Sequence, residues 1–158
     1  MEALKTAGLA KSIGVSNFRV EDLKALFETA TVPPAVNQIE FHPYLQQPEL
    51  LQFHKEKGIV TCAYAPLTPA TKAKPGPLDG VLEVLAKKYA VSEAEVCLRW
   101  CVEQDVVPIT TSAKEQRLSD LLRVWRMSLT GREVDEIREV GGEKHFRGFW
   151  VKNFGEGK

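Results

Sequence analysis

The sequence predicts an α/β protein built around a parallel sheet. Short runs of β-branched and apolar residues alternate with stretches of helical periodicity through the 158 residues of the chain. The four predicted strands start near residues 12, 35, 59 and 106. A helix lies between each strand and the next, and such connections are right-handed crossovers that place the strands in parallel. The connection between the third and fourth strands is the longest because it contains two helices and a loop.

Start and stop signals place the elements in the first part of the chain. Residues Met1–Ala7 predict a helix, and Gly8 ends it in the usual position after the last turn. Pro48 suits the first position of a later helix, and Gly58 follows the last residue of that helix. The other predicted elements here are the helix Glu21–Thr29 and the strands Ser12–Val15, Ala35–Phe41 and Ile59–Tyr64.

Further along the chain, a loop and two capping boxes are the clearest local signals. Four prolines and two glycines predict a long loop over Pro66–Gly80. A hydroxyl residue followed three positions later by glutamate begins a helix at Ser92 and another at Thr130. The other predicted elements are the helices Val81–Tyr89 and Glu115–Val124, the strand Val106–Thr110 and an irregular aromatic and basic tail, Glu143–Lys158.

The composition argues against several classes of function. Twenty-one basic and 21 acidic residues give a net charge of zero, and no basic stripe indicates a nucleic-acid partner. No run of about 18 apolar residues could span a membrane, and the N-terminus lacks the apolar core of a secretion signal. Cys62, Cys97 and Cys101 lie in apolar settings, which favours reduced core thiols and a cytoplasmic protein. No histidine completes a metal site with them.

Polar residues follow each predicted strand at its carboxyl end. Ser16 and Asn17 follow the first strand, Gln38 and Glu40 end the second, Tyr64 ends the third, and Thr110-Thr111-Ser112 follow the fourth. In parallel α/β proteins these ends face the active site, in open sheets and in barrels alike. The sequence therefore predicts a functional surface at the carboxyl ends of the strands.

Five short motifs occur in order along the chain: GVSNF at Gly14–Phe18, NQIEFHPY at Asn37–Tyr44, AYAPL at Ala63–Leu67, LRW at Leu98–Trp100 and TTSAKEQR at Thr110–Arg117. Together they resemble the aldo-keto reductase family, and the last motif and the tail are most like fungal members. The resemblance implies a partial (β/α)8 TIM barrel, approximately strands five to eight with their helices. We expect a single domain, 1–158, that forms a C-terminal half-barrel with 143–158 as its tail. A whole barrel needs about 250 residues, so the chain reads as truncated.

The resemblance also implies a reaction. Members of the family reduce aldehydes or ketones to alcohols with NADPH (NADP+). The family's catalytic Asp, Tyr, Lys and His lie on the first four strands and have no counterpart here, so we expect the isolated chain to be inactive. Three interpretations stay open: an oxidoreductase completed by a first half, a non-catalytic NADPH-binding or partner-binding module, and a remnant without function.

Contacts with the nicotinamide are implied at three strand ends. Ser16, Asn17 and Gln38 would hydrogen-bond the carboxamide, since an amide ligand needs both donors and acceptors. Tyr64 would stack on the nicotinamide ring. The alternatives are that Ser16 or Asn17 caps the following helix and that Tyr64 packs at the barrel mouth.

The phosphate end of the cofactor is implied at the last strand and after the third. Ser112 and Arg117 would hold the 2′-phosphate, because an arginine offers a planar fork of donors and a helix start adds backbone donors. Leu67 matches a pyrophosphate-loop position. The alternative for Ser112 is a capping box of the next helix. Thr111 stands where many members have a cofactor lysine, and Leu121 where many have an adenine-contacting asparagine.

Three histidines and one tryptophan complete the residues of interest. His42 invites a catalytic interpretation, but the family's catalytic histidine lies on an earlier strand, so a structural role is favoured. His54 and His145 have no partner at a useful spacing and are expected at the surface. Trp100 is expected in the core.

Half a barrel exposes two sheet edges that a closed barrel does not have. They would lie at Ser12–Val15 and Val106–Thr110, and both carry apolar residues. We therefore expect self-association, or pairing of these edges with a second copy or with a separately encoded first half. A small-molecule carbonyl substrate is expected only for the completed barrel.

Overall fold

The computed structural model describes residues 1–154, and within them four strands form one sheet. The strands lie side by side in chain order. They are β1 (Val15–Ser16), β2 (Val36–Glu40), β3 (Val60–Tyr64) and β4 (Val107–Pro108). β1 and β2 run parallel, with Val15 opposite Asn37 and Ser16 opposite Gln38. Residues 155–158 of the expected tail lie outside the described residues.

Helices separate the strands, as the crossover pattern requires. The helices within residues 1–154 are α1 (Glu2–Thr6), α2 (Val20–Thr29), α3 (Pro48–Lys57), α4 (Asp79–Tyr89), α5 (Glu93–Glu103), α6 (Glu115–Leu121), α7 (Gly131–Gly142) and α8 (Val151–Phe154). Two short 3-10 segments, Thr68–Ala70 and Leu122–Arg126, lie in the long loop and after α6.

The local start and stop signals act as the sequence predicts. The Ser92 hydroxyl accepts a hydrogen bond from the Glu95 N–H, and the Glu95 carboxylate accepts one from the Ser92 N–H. Thr130 starts α7 with the same reciprocal pair of bonds. Gly58 ends α3 at φ 67°, in the left-handed region that glycine adopts without a steric penalty.

The chain divides into two compact units. The first unit comprises Met1–Ile39 and Gln47–Cys62, and the second comprises Glu40–Gln46 and the chain from Ala63 onward. The apolar core of the first unit contains Ile13, Leu23, Ile39, Leu50 and Ile59.

Gly14 allows β1 to approach β2 in the first unit. A β-carbon on Gly14 would lie 2.7 Å from the Val36 carbonyl oxygen and would also contact the Val36 side chain. Any larger residue at this position would have to push the two strands apart.

The second unit has its core around α5. Trp100 lies in it, as predicted, and stacks on Phe41 with ring centroids 5.3 Å apart. Cys97 and Cys101 are fully buried free thiols, and burial raises the pKa of Cys97 to about 12. Both thiols are therefore protonated and unreactive in the folded protein.

The edge strands are shorter than predicted. β1 covers Val15–Ser16 instead of Ser12–Val15, although the Ile13 carbonyl still accepts a hydrogen bond from the Ala35 N–H. β4 covers only Val107–Pro108, although just beyond it the Ile109 N–H still donates to the Ala63 carbonyl at 2.8 Å. The predicted helix Glu115–Val124 changes to a 3-10 segment at Leu122.

Residues 1–154 contain neither a membrane-spanning helix nor a cluster of metal-binding side chains. None of the helices found there has both the length and the apolarity that crossing a membrane requires. No group of three or more His, Cys, Asp or Glu side chains in the same range could hold a metal ion.

Candidate functional site

A tight turn follows β1 in the first unit. Asn17 adopts φ 59°, a left-handed conformation that asparagine tolerates better than most residues. Both the Ser16 hydroxyl and the Asn17 N–H donate to the Gln38 carbonyl oxygen at 2.9 Å. The structure therefore brings together the three residues expected to bind the carboxamide. Ser16 is exposed, and Asn17 and Gln38 are half-buried.

Neither Ser16 nor Asn17 caps the next helix, so that alternative is wrong. The residue before the first turn of α2 is Arg19, whose N–H donates to the Asp22 carboxylate at 2.9 Å. Asn17 lies too early in the chain to reach the free N–H groups of the helix, and its own backbone is bound to β2.

The surface position expected for His54 is wrong. The side chain is only 1% exposed, and its imidazole lies between Asn37 and Thr61 in the first unit. Burial lowers the pKa of His54 to about 4. The helical period contained the signal, because His54 lies one turn after the buried Leu50 on α3.

Asn37 is a second residue that the interpretation of the sequence missed. It is fully buried, and its amide bonds the backbone of Phe18 in both directions. Its side chain leaves β2 on the opposite face from that of Gln38, because side chains alternate along a strand. The amide of Gln38 thus lies on the face of β2 with the candidate site, and the amide of Asn37 lies on the face toward the core.

Tyr64 ends β3 in the second unit and is half-buried. Its ring meets the ring of Phe149 nearly at right angles, with centroids 5.6 Å apart. The Lys72 ammonium lies 4.4 Å from the centroid of the same phenylalanine. Burial, followed by the negative charge of Glu40, raises the pKa of the Tyr64 phenol.

Glu40 fixes the tail in this part of the second unit. Its buried carboxylate accepts hydrogen bonds from the N–H groups of Gly148 at 2.7 Å and Phe149 at 3.0 Å, and lies 3.3 Å from His42 Nε2. Burial opposes ionisation of Glu40, but these hydrogen bonds outweigh it and lower its pKa. His42 is fully buried, and burial lowers its pKa as well. This histidine lies in the core and not at the surface.

Ser112 and Arg117 lie at the start of α6, also in the second unit. The Ser112 hydroxyl accepts a hydrogen bond from the Lys114 N–H at 3.1 Å. α6 begins at Glu115 with Lys114 before its first turn, so the capping box proposed for Ser112 is wrong. Ser112 lies two residues too early to cap the helix and closes a local turn instead. The Arg117 side chain is exposed.

Leu67 lies in the second unit just after β3. It is half-buried and packs against a small apolar cluster formed by Leu98, Leu121 and Val124. Leu121 is therefore a packing residue, 9% exposed.

The geometry and the motifs agree with a comparison against known families. A sequence model described as the Aldo/keto reductase family matches residues 1–141. This chain belongs to the aldo/keto reductase family. The resemblance expected from the five motifs is confirmed, including its likeness to fungal members.

Two of the most similar curated proteins are fungal. An NADPH-dependent alpha-keto amide reductase of Saccharomyces cerevisiae is 44% identical over 99% of this chain and 52% of its own length. An NAD/NADP-dependent indole-3-acetaldehyde reductase of Schizosaccharomyces pombe is 39% identical over 94% of the chain and 53% of its own length. The chain thus spans about half the length of the curated relatives it matches.

Solved structures confirm the predicted fold class. A Bombyx mori aldo-keto reductase in complex with NADP superposes with a TM-score of 0.82 and 31% identity. The match covers 89% of this chain and 48% of that structure. The α/β fold with a parallel sheet is therefore part of an aldo-keto reductase barrel.

Proposed function

We propose that this chain is the cofactor-binding half of an NADPH-dependent aldo/keto reductase and that the catalytic residues come from outside it. The observation that supports this most directly is the turn after β1. There Ser16 and Asn17 are both hydrogen-bonded to the Gln38 carbonyl at 2.9 Å. The Saccharomyces cerevisiae relative is named as NADPH-dependent, and the Bombyx mori enzyme is in complex with NADP. Both agree with this choice of cofactor.

The donor set of the first unit suits an amide ligand. The Ser16 hydroxyl already donates to Gln38, so its oxygen lone pairs remain to accept from a carboxamide NH2. The amide groups of Asn17 and Gln38 provide the donors and acceptors that such a ligand also needs. These three residues would hold and orient the nicotinamide.

The second unit contains groups suited to the rest of the cofactor. The exposed Arg117 guanidinium can form a bidentate contact with a phosphate, and the Ser112 hydroxyl lies in the turn just before its helix. Tyr64 offers an aromatic face for the nicotinamide, and Leu67 lies at the position that the family resemblance assigns to the pyrophosphate loop.

A reductase also needs a group that donates a proton to its product, and we propose that this group comes from outside the chain. When bound, NADPH supplies the hydride that reduces an aldehyde or ketone, and the developing alkoxide then needs a proton. The Tyr44 hydroxyl is buried and accepts from the Leu78 N–H, and the Tyr89 hydroxyl donates to Glu133. Burial raises the pKa of both phenols. Both hydroxyls are bonded within the chain, which supports a proton donor from outside it.

Titration of the purified chain with NADPH tests the proposal, with quenching of its tryptophan fluorescence as the signal. Circular dichroism first establishes that the chain is folded. Arg117→Ala should weaken NADPH binding by about tenfold, because a charged hydrogen bond to the 2′-phosphate is lost. Its affinity for NADH should not change. Arg132→Ala, at an exposed position on α7, is the matched control and should leave both affinities unchanged.

Two outcomes would contradict the cofactor proposal. A folded chain that binds no NADPH would leave the motifs as inherited sequence without present use. Equal losses in the two arginine variants would show that general charge, and not a phosphate contact, produces the binding. Turnover of a simple aldehyde by the isolated chain would instead refute the absence of catalytic residues.

We also propose that the chain pairs through its sheet edges, with a second copy or with a first half-barrel. β1 and β4 are the outer strands of the sheet. On and beside β4, Val107 is 49% exposed and Ile109 is 39% exposed. Unpaired edge strands with apolar side chains are prone to pairing. Light scattering should therefore detect species larger than the monomer, and a monodisperse monomer with cooperative unfolding would refute this.

A cytoplasmic location is part of the same proposal. The buried, protonated thiols of Cys97 and Cys101 suit a reducing compartment, where free cysteines persist.

A further inference from the structure

A buried chain of hydrogen bonds crosses the first unit behind the Ser16–Phe18 turn. The Asn37 amide nitrogen donates to the Phe18 carbonyl at 2.8 Å, and its oxygen accepts from the Phe18 N–H at 3.4 Å. The same nitrogen lies 3.0 Å from His54 Nε2, and His54 Nδ1 lies 2.8 Å from the Thr61 hydroxyl. Asn37, His54 and Thr61 are all buried.

The direction of each bond in this chain follows from the chemistry of the groups. The Asn37 nitrogen faces the Phe18 carbonyl, so it must be the NH2 end of the amide. Its second hydrogen points to His54 Nε2, which must then accept and carry no proton. The neutral imidazole therefore has its proton on Nδ1 and donates it to Thr61. One tautomer of His54 satisfies every bond.

We propose that His54 is a positioning residue for nicotinamide binding: through Asn37 it holds the Ser16–Phe18 turn in the shape that the carboxamide contacts require. The inference rests on the proposed cofactor function and adds a residue to it. His54 itself is buried behind the turn and touches neither the cofactor nor a substrate.

Both sides of the turn are fixed to β2. At the start of the turn, the Gln38 carbonyl accepts hydrogen bonds from the Ser16 hydroxyl and the Asn17 N–H. After it, the Asn37 amide holds both backbone groups of Phe18. Asn17 between them has a left-handed φ of 59°, a conformation that asparagine tolerates and that the hydrogen bonds on both sides hold in place. His54 satisfies the remaining N–H of the Asn37 amide and so keeps the second anchor in place.

Removing the imidazole nitrogens should disturb this anchor selectively. In His54→Phe the ring volume is kept, but one buried N–H of Asn37 loses its acceptor, and such groups are strongly unfavourable unless the structure rearranges. In His54→Gln the side-chain oxygen can take the place of Nε2 as acceptor. Thr61→Val removes only the hydroxyl that receives the Nδ1 proton, with almost no change in shape.

The test compares two probes on the full chain: NADPH and adenosine 2′,5′-bisphosphate, which lacks the nicotinamide. His54→Phe should weaken NADPH binding by about tenfold and leave the affinity for the bisphosphate unchanged. His54→Gln should restore most of the NADPH affinity. Thr61→Val should show a smaller loss than His54→Phe, again confined to NADPH. The comparison of probes remains valid if a variant is partly unfolded, because unfolding reduces the binding capacity for both probes alike.

Each other outcome has a distinct meaning. If the wild-type chain binds neither probe, the proposed function fails and not only the role of His54. If it binds both probes equally, the nicotinamide contacts contribute nothing, and the role of His54 is refuted while NADPH binding stands. If the wild-type chain prefers NADPH and His54→Phe keeps that preference, the positioning role is refuted. Equal loss of both probes in His54→Phe would also refute it, since a general structural effect would then explain the change.

Discussion

Acidification below about pH 6.5 should destabilise the protein through His54. Burial lowers the pKa of His54 from 6.5 to about 4, so the folded chain keeps this imidazole neutral where the unfolded chain protonates it. The unfolded state therefore binds more protons between those two pKa values, and stability falls as the pH falls. Above the unfolded pKa both states are neutral, and the contribution of His54 is complete there.

The size of the effect follows from the width of the window. Between the unfolded pKa of 6.5 and the folded pKa of about 4, each pH unit removes about 1.4 kcal/mol from the free energy of unfolding. The loss over the whole window is about 3 kcal/mol. Below it both states are protonated, and His54 adds nothing further. Protonation of the folded state would also place a proton on Nε2, where Asn37 donates its hydrogen bond.

Urea unfolding followed by circular dichroism at several pH values between 7 and 4.5 measures this loss. The His54→Gln variant has no titratable group at this position. Its free energy of unfolding should therefore fall less steeply with decreasing pH than that of the wild type, and the difference is the contribution of His54. The comparison is necessary because burial lowers the pKa of His42 as well, and that residue contributes with the same sign. Parallel pH dependence in the wild type and His54→Gln would refute the reasoning.

Three further substitutions test the packing and the tail. Glu40→Gln should cost about 1–3 kcal/mol and expose the tail to proteolysis, because the NH2 end of the amide would face an N–H group that the carboxylate now accepts from. Gly14→Ala should cost more than about 1 kcal/mol in urea unfolding, since its β-carbon would collide with Val36. Ser92→Ala should lower stability by about 1 kcal/mol through loss of the helix cap, measured as a fall in the melting temperature.

The parts of the fold that the sequence predicts well are those decided by neighbouring residues. The capping boxes at Ser92 and Thr130, and the glycine that ends α3, involve groups within a few residues of each other. The edge strands were predicted less well. The extent of β1 and of β4 depends on how much of each strand its neighbour bonds, and that neighbour lies more than 20 residues away in the chain.

The candidate site shows the same division. Motifs predicted Ser16, Asn17 and Gln38, and the structure brings these three together. The role of His54 depends on Asn37, 17 residues earlier in the chain, and on a tautomer that only the assembled hydrogen bonds define. The spacing between Asn37 and His54 predicts neither their hydrogen bond nor the tautomer. Only the burial of His54 could be inferred from the sequence, because it lies one turn after Leu50 on α3.

The two departures from the family pattern differ in what surrounds them. Thr111 is exposed, so a change there alters only the groups offered to a ligand. Leu121 packs in the apolar cluster with Leu98 and Val124, and a polar side chain at that position would leave an unpaired group in the cluster. The leucine therefore contributes to stability in a way that an asparagine could not. Under the proposed function, selection of NADPH over NADH then depends on Ser112 and Arg117, which is why the arginine substitution is the more informative test of cofactor choice.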